Sequence, residues 1–131
     1  MKVEYTDYLK QVYPELYDNG NKYGGFAIGD GWFNIINQLS QNIQHHLKWK
    51  NKDAEVVPPV VIEQIKEKFG SLRFYYQGGD EYIAGLVSMA ESMAGVTCED
   101  CGSIGESRNG GWIRVLCDEH EAEYQKRKNN G

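Results

Sequence analysis

The side chains best able to do chemistry lie in the last third of the chain. Three cysteines occur, Cys98, Cys101 and Cys117, and His120 follows the last of them. The pattern is C-x2-C, fifteen residues, then C-x2-H. Two pairs of soft or borderline donors, each with a two-residue gap, are what tetrahedral zinc requires, because one tight turn presents two side chains to one ion. Four protein ligands close the coordination sphere and leave no position for a reactive water, so the expected cofactor is one structural Zn2+. An odd number of cysteines argues against a disulfide framework. A redox role for Cys98–Cys101 lacks the βαβ surroundings of a thioredoxin-like motif.

The segments around the ligands agree with that reading. SIGESRNGGWIRVL reads as a strand, a turn at Asn109–Gly110, and an alternating strand from Trp112 to Leu116. DEHEAEYQKRK after Cys117 is rich in helix formers, with acids first and bases last, the order that suits the helix dipole. Knuckle, hairpin and helix in that order resemble the treble-clef class of zinc sites. Catalytic zinc fits less well. A zinc deaminase needs H-x-E and later P-C-x-x-C. Here Thr97 precedes Cys98, and neither His45 nor His46 has a Glu two residues on. Treble-clef nucleases generally carry a histidine on the hairpin, and this hairpin has none. No phosphate loop, nucleophile–base pair or paired-carboxylate pattern stands out elsewhere, so no catalytic residue is assigned.

The rest of the chain must position this tail. Residues 4–18 have helical spacing, with Leu9, Val12 and Tyr13 on the apolar face, and Pro14 breaks the run or starts a second short helix. Asp18 to Gly31 is a glycine-rich loop, and Asp30 is placed to cap the next helix. Trp32, Ile35, Ile36, Leu39, Ile43 and Leu47 form the stripe of a helix over about 31–48. His45 lies off this stripe and His46 near its edge, positions that suit a structural or solvated histidine. Pro58–Pro59 forces extension. Residues 60–77 fit either a helix ending at Gly70 or a hairpin. The hairpin is preferred, with Gly70–Ser71 as its turn, because Leu72 to Tyr76 is strongly strand-like. Pairing Phe69 with Leu72 puts Ile65, Phe69, Leu72, Phe74 and Tyr76 on one face, with Glu67 out of place among them. The other face carries Lys66, Lys68, Arg73 and Tyr75. Three cations beside a stacking ring suit an anionic or nucleotide ligand. A helix over about 80–94 follows, with Ile83, Leu86, Val87, Ala90 and Met93 as its buried stripe and Gly95 as its stop.

Four segments together, GDGWFNII (29–36), IKEKFGSLRFYY (65–76), MAESMAG (89–95) and CEDCGSIGESRNGGWIRVLCDEH (98–120), resemble a family of small, mostly uncharacterised zinc-binding proteins of bacteriophages and bacteria. The resemblance covers residues 26–120. It implies a zinc-bearing α+β protein of phage or prophage origin and carries over no catalytic residue. Small accessory phage proteins often bind host machinery, immune systems included, so counter-defence fits that setting.

Composition narrows the partners. The 131 residues are one domain's length, read as an α+β part (1–95) packed with a zinc module (96–131). Lys and Arg number 14 against 19 Asp and Glu, a net charge of −5, which argues against coating nucleic acid by bulk charge. Residues 96–131 themselves hold more acids than bases, so a nucleic-acid regulator using Arg108, Arg114 and Lys126 to Lys128 ranks second. No membrane span or secretory signal is legible, so the expected compartment is the cytoplasm of a bacterial host cell. The expected partner is a host protein or a small nucleotide-like ligand. Nine tyrosines leave room for a homodimer.

Overall fold

The helical spacing at the start of the chain is interrupted just before Pro14, whose ring and missing N–H cannot continue a helix. The computed structural model, which describes residues 1–17 and 25–130, accordingly has α1 (Val3–Val12) and a single further turn, α2 (Pro14–Tyr17). Leu9, Tyr13, Leu16 and Tyr17 are buried, whereas Val12, expected on the apolar face, is exposed. Asp18 and the first part of the glycine-rich loop lie outside the described residues. After them comes a short strand, β1 (Phe26–Ala27), which glycine-rich composition had hidden within the expected loop.

A 3-10 turn (Asp30–Trp32) leads into α3 (Phe33–Lys50). Its stripe is as the spacing implies: Trp32, Ile35, Ile36, Leu39 and Ile43 are buried and Leu47 packs against them. Asp30 does not cap the helix. Its carboxylate instead accepts the Lys2 N–H at 2.7 Å and latches the start of the chain to this corner.

The hairpin reading of 60–77 holds, with β2 (Val61–Lys68) and β3 (Ser71–Gln77) antiparallel. Its turn is displaced from expectation. Lys68 pairs with Ser71, so the two loop residues are Phe69 and Gly70, at φ 54° and 79°. Two positive φ angles make the primed turn whose twist matches the strands. Phe69 therefore leaves the apolar face and is exposed, and it does not pair with Leu72, which lies opposite Glu67. The faces survive this change because the partners move by two residues, and side-chain direction alternates with period two. At the far end the register shifts between Ile62 and Gln64, leaving Glu63 as an extra residue. That bulge lets Ile62 and Ile65, three positions apart, both reach the interior. β1 adds to β2 in parallel, giving the sheet order β1-β2-β3.

α4 (Glu81–Ala94) begins at Asp80, whose Oδ1 accepts the Ile83 N–H at 3.1 Å, an N-cap. Its buried positions are Ile83, Val87, Ala90 and Ala94, while Met93, expected in the stripe, is exposed. α3, α4 and the inner face of the hairpin enclose one core containing Ile62, Ile65, Leu72 and Phe74. The tail forms β4 (Glu106–Arg108), β5 (Arg114–Leu116) and α5 (Asp118–Asn130). Trp112 and Ile113, expected in the second strand, belong to the connecting loop instead. Among the described residues no helix is long and apolar enough to cross a membrane.

His46 ties α3 to the cap of α4: its Nε2 lies 2.8 Å from Asp80 Oδ2, and its ring stacks on Tyr82 at 4.2 Å. The His46 hydrogen bond, with the Ile83 amide adding to it, holds the Asp80 carboxyl below the usual range. A lowered folded value means the stabilisation is complete above the ordinary carboxylate range and is lost as pH falls through the lowered one. Asp80→Ala should therefore cost about 1–2 kcal/mol near neutrality. The melting-temperature gap between wild type and variant, followed by circular dichroism, should narrow on acidification to about pH 3.

Candidate metal centre

The knuckle is built by a turn in which the Gly102 N–H donates to the Cys98 carbonyl at 2.9 Å, with Gly102 at φ +84°. A side chain rarely adopts that conformation, so glycine is required directly after the second ligand. The Cys98 N–H donates to Ser103 O, and the Glu99 N–H donates to Val115 O on β5. Those bonds fix the knuckle against the strand that delivers Cys117. Cys117 immediately precedes α5, and His120 sits in the first turn of that helix. The turn is held by the Glu121 N–H donating to Cys117 O.

These elements bring the four expected ligands together. The ligand atoms of Cys98, Cys101, Cys117 and His120 all lie within 4.8 Å of one another. Cys101 Sγ is 3.8 Å from Cys117 Sγ, and His120 Nδ1 is 3.7 Å from Cys98 Sγ and 3.2 Å from Cys117 Sγ. Metal–sulfur bonds of about 2.3 Å and metal–nitrogen bonds of about 2.0 Å span a tetrahedron with edges of roughly 3.5–3.8 Å. The donor set fits an ion of that kind in both chemistry and spacing. His120 offers Nδ1 to the cluster, while its Nε2 faces the Glu123 carboxylate at 4.0 Å, the outer partner a ligating histidine commonly has.

The thiols are poised unequally. Hydrogen bonds from Ser103, side chain first and then backbone, bring Cys101 down to about 6. The His120 amide lowers Cys117, but burial and the neighbouring Cys101 and Cys98 sulfurs outweigh it and carry that thiol upward. Crowding of thiolates is the cost that a bound dication removes.

Apolar packing alone gives the tail little to fold around. α5 has no buried residue, and the local cluster is only Cys98, Leu116 and Cys117 with Tyr124 against it. Arg108 supplies a second tie. Its guanidinium donates to Leu116 O at 3.1 and 2.9 Å and to Asp118 Oδ1 at 2.9 Å, and it pairs with Glu106 at 3.2 Å.

The rest of the protein grips the knuckle through GDGW, a role not evident from sequence. Trp32 is fully buried, and its Nε1–H donates to Thr97 O at 2.9 Å. The Gly31 N–H donates to Glu99 O at 2.7 Å, and the Gly29 N–H to Glu99 Oε2 at 3.0 Å. The two backbones touch so closely that a Cβ on Gly31 would fall onto the Cys98 carbonyl, 2.6 Å from Gly102 N and 2.7 Å from Cys101 N. Glu99, inside the C-x2-C spacer, was equally invisible as a site residue. Its burial pushes the carboxyl upward, against the Gly29 amide and Arg114, which pull it down.

The suspected ligand face is placed away from the metal cluster. Lys66, Lys68, Arg73 and Tyr75 lie on the side of the sheet opposite Ile65 and Phe74. Lys66 stands directly across from Arg73, and its Nζ lies 6.0 Å from the Tyr75 ring. Lys68 Nζ lies over Phe69 at 5.8 Å, and Arg73 Nε is shielded from solvent without a hydrogen-bond partner. Among the described residues no carboxylate is within ion-pairing distance of these three cations. The cations of the tail differ. Arg114 meets Asp100 at 2.6 Å, Arg108 is bound as above, and Lys128 donates to Gly110 O at 2.9 Å.

Cys117→Ser should lose the metal on dialysis and unfold the tail, read as loss of α5 amide protection in hydrogen exchange. Gly31→Ala should lower stability by about 1–3 kcal/mol, because a methyl forced into backbone must displace it. The same variant should give up metal to a chelator faster than wild type, since the displaced backbone is that of the knuckle. Compared with known proteins, the chain matches no family model, no curated protein and no solved structure.

Proposed function

We propose that this chain is a zinc-stabilised binding protein, with the ion holding a treble-clef-like tail rather than performing a reaction. The observation that carries this reading is the set of four protein donors within 4.8 Å of one another in a segment with almost no apolar core. Apparent binding energies for structural zinc are about 10–16 kcal/mol, as large as the stability of a whole domain. Cys98, Cys101, Cys117 and His120 would hold the ion, and it would supply rigidity and charge balance.

The binding surface proposed is the Lys66, Lys68, Arg73 and Tyr75 face. Like charges directly across a strand pair destabilise a sheet, and among the described residues no carboxylate pairs with Lys66 or Arg73. An anionic ligand, nucleotide-like in combining phosphate with a ring, would relieve that repulsion and balance the Arg73 charge. In a phage or prophage setting, holding such a signal or a host protein in the bacterial cytoplasm would serve counter-defence. A nucleic-acid regulator is less well supported, because Arg108 and Arg114 are already bound to acids of the tail.

Native mass spectrometry should find one zinc per chain, and X-ray absorption should find three sulfurs and one nitrogen. An oxygen in the inner sphere would overturn the structural assignment. ATP and pyrophosphate should raise the melting temperature and be recovered intact, and Arg73→Ala should weaken them about tenfold with the fold retained. Equal binding by that variant would return this face to solvent.

A further inference from the structure

The other side of the hairpin ends over the tail, and between the two lies an open pocket of about 360 Å³ lined by Glu67, Glu99, Trp112, Arg114 and Tyr124. It belongs neither to the metal cluster nor to the cationic face, since Glu67 alternates with Lys66 and Lys68 along β2 and points the opposite way. Its net charge is negative: Arg114 is shared between Asp100 at 2.6 Å and Glu99 at 4.0 Å, and among the described residues Glu67 has no ion-pair partner.

Glu99 is the informative residue. It is only 6% exposed, and its Oε2 accepts the Gly29 N–H. Its Oε1 is shut off from solvent with no hydrogen-bond partner, and Arg114 Nε, at 4.0 Å, is beyond hydrogen-bonding reach. A charge shielded in this way acts strongly on whatever enters beside it, because little water screens it. Glu67 presents the second carboxylate, with Oε2 accepting the Gly70 N–H at 2.8 Å. Trp112 and Tyr124 add ring faces, which attract cations.

We propose that this cavity binds a primary alkylammonium group, the chemistry shared by a lysine side chain and a free polyamine. A guanidinium is a poorer match. Its fork suits one carboxylate with both oxygens free, whereas Glu67 and Glu99 each have one oxygen engaged already. A compact ammonium needs no matched fork: it can donate to Glu67 while the shielded Glu99 charge acts on it through space. Hard dications take six or more oxygens, more than two half-engaged carboxylates and one tyrosine hydroxyl supply. The site does not depend on the anion-binding face, so either can fail without the other.

The test is an NMR titration of the zinc-loaded full chain, reading the Trp112 indole N–H, assigned with Trp112→Phe. The probes are N-acetyl-lysine N-methylamide, putrescine and the uncharged norleucine analogue of the first. Saturable shifts are expected with a cationic probe and not with norleucine. Binding of the lysine derivative more tightly than putrescine points to a peptide partner, and the reverse order to a polyamine. Glu99→Gln keeps an acceptor for Gly29 and should weaken the cation about tenfold or more. Glu67→Gln, farther from the metal ligands, should act in the same direction and stands alone if the first variant misfolds. Absence of saturation by either amine, an equal response to norleucine, or unchanged affinity in Glu67→Gln overturns the proposal.

Discussion

The tail of this protein is a segment in which polar chemistry has to do what hydrophobic burial does elsewhere. One core cluster gathers α1 to α4 and the hairpin around Trp32, Ile36, Ile62 and Phe74. The other consists of two thiols and a leucine with one tyrosine edge. Burial of so few apolar groups, at roughly 1.5–3 kcal/mol for each full side chain, cannot offset the conformational entropy of ordering some thirty residues. Convergence of three sulfurs and one imidazole nitrogen is therefore the constraint on which the tail's geometry rests, and Arg108 bridging β5 to the start of α5 is its main supplement.

That constraint reaches the other half of the molecule through backbone contact. Gly29 and Gly31 place their amides on Glu99, and Trp32 reaches Thr97, so the start of α3 and the knuckle share one set of hydrogen bonds. Side chains at Gly29 or Gly31 would collide with carbonyls of the knuckle. The glycines are thus explained by close approach rather than by flexibility. Trp32, on the opposite side of the same turn, is part of the main core. This four-residue segment, with Val115 of β5 reaching into the same core, joins the apolar interior to the polar tail.

The hairpin divides its two faces between different kinds of chemistry. One carries Lys66 and Arg73 opposite each other with no counter-charge among the described residues, while the other buries Ile65 and Phe74 and ends in Glu67 over the tail. Glu67 looked like an error in the apolar face when judged by alternation alone. It lies at the end of the strand, where the core has given way to a polar cavity and to the turn amide of Gly70. The Glu91 carboxylate accepts the Phe74 N–H at 3.1 Å, which covers part of the free edge of β3.

Local information was enough for the clustered Cys and His side chains of the tail, the α3 stripe and the hairpin. Ligand spacing is set by the reach of a single turn, helical stripes by 3.6-residue periodicity, and strand faces by alternation, all properties of a short window. The turn at Phe69–Gly70 was missed because a bulky residue at positive φ goes against intrinsic preference and is held there by the register of two whole strands. Asp30 was misassigned because a cap and a latch use the same carboxylate, and only the arrival of Lys2 beside it decides between them. The role of Glu99, the docking of GDGW and the cavity at Trp112 depend on residues up to 70 positions apart. Such contacts are fixed by how the elements pack, so tertiary structure alone decided them, whereas the grouping of Cys98, Cys101, Cys117 and His120 could be read from the chain because each pair is presented by one turn.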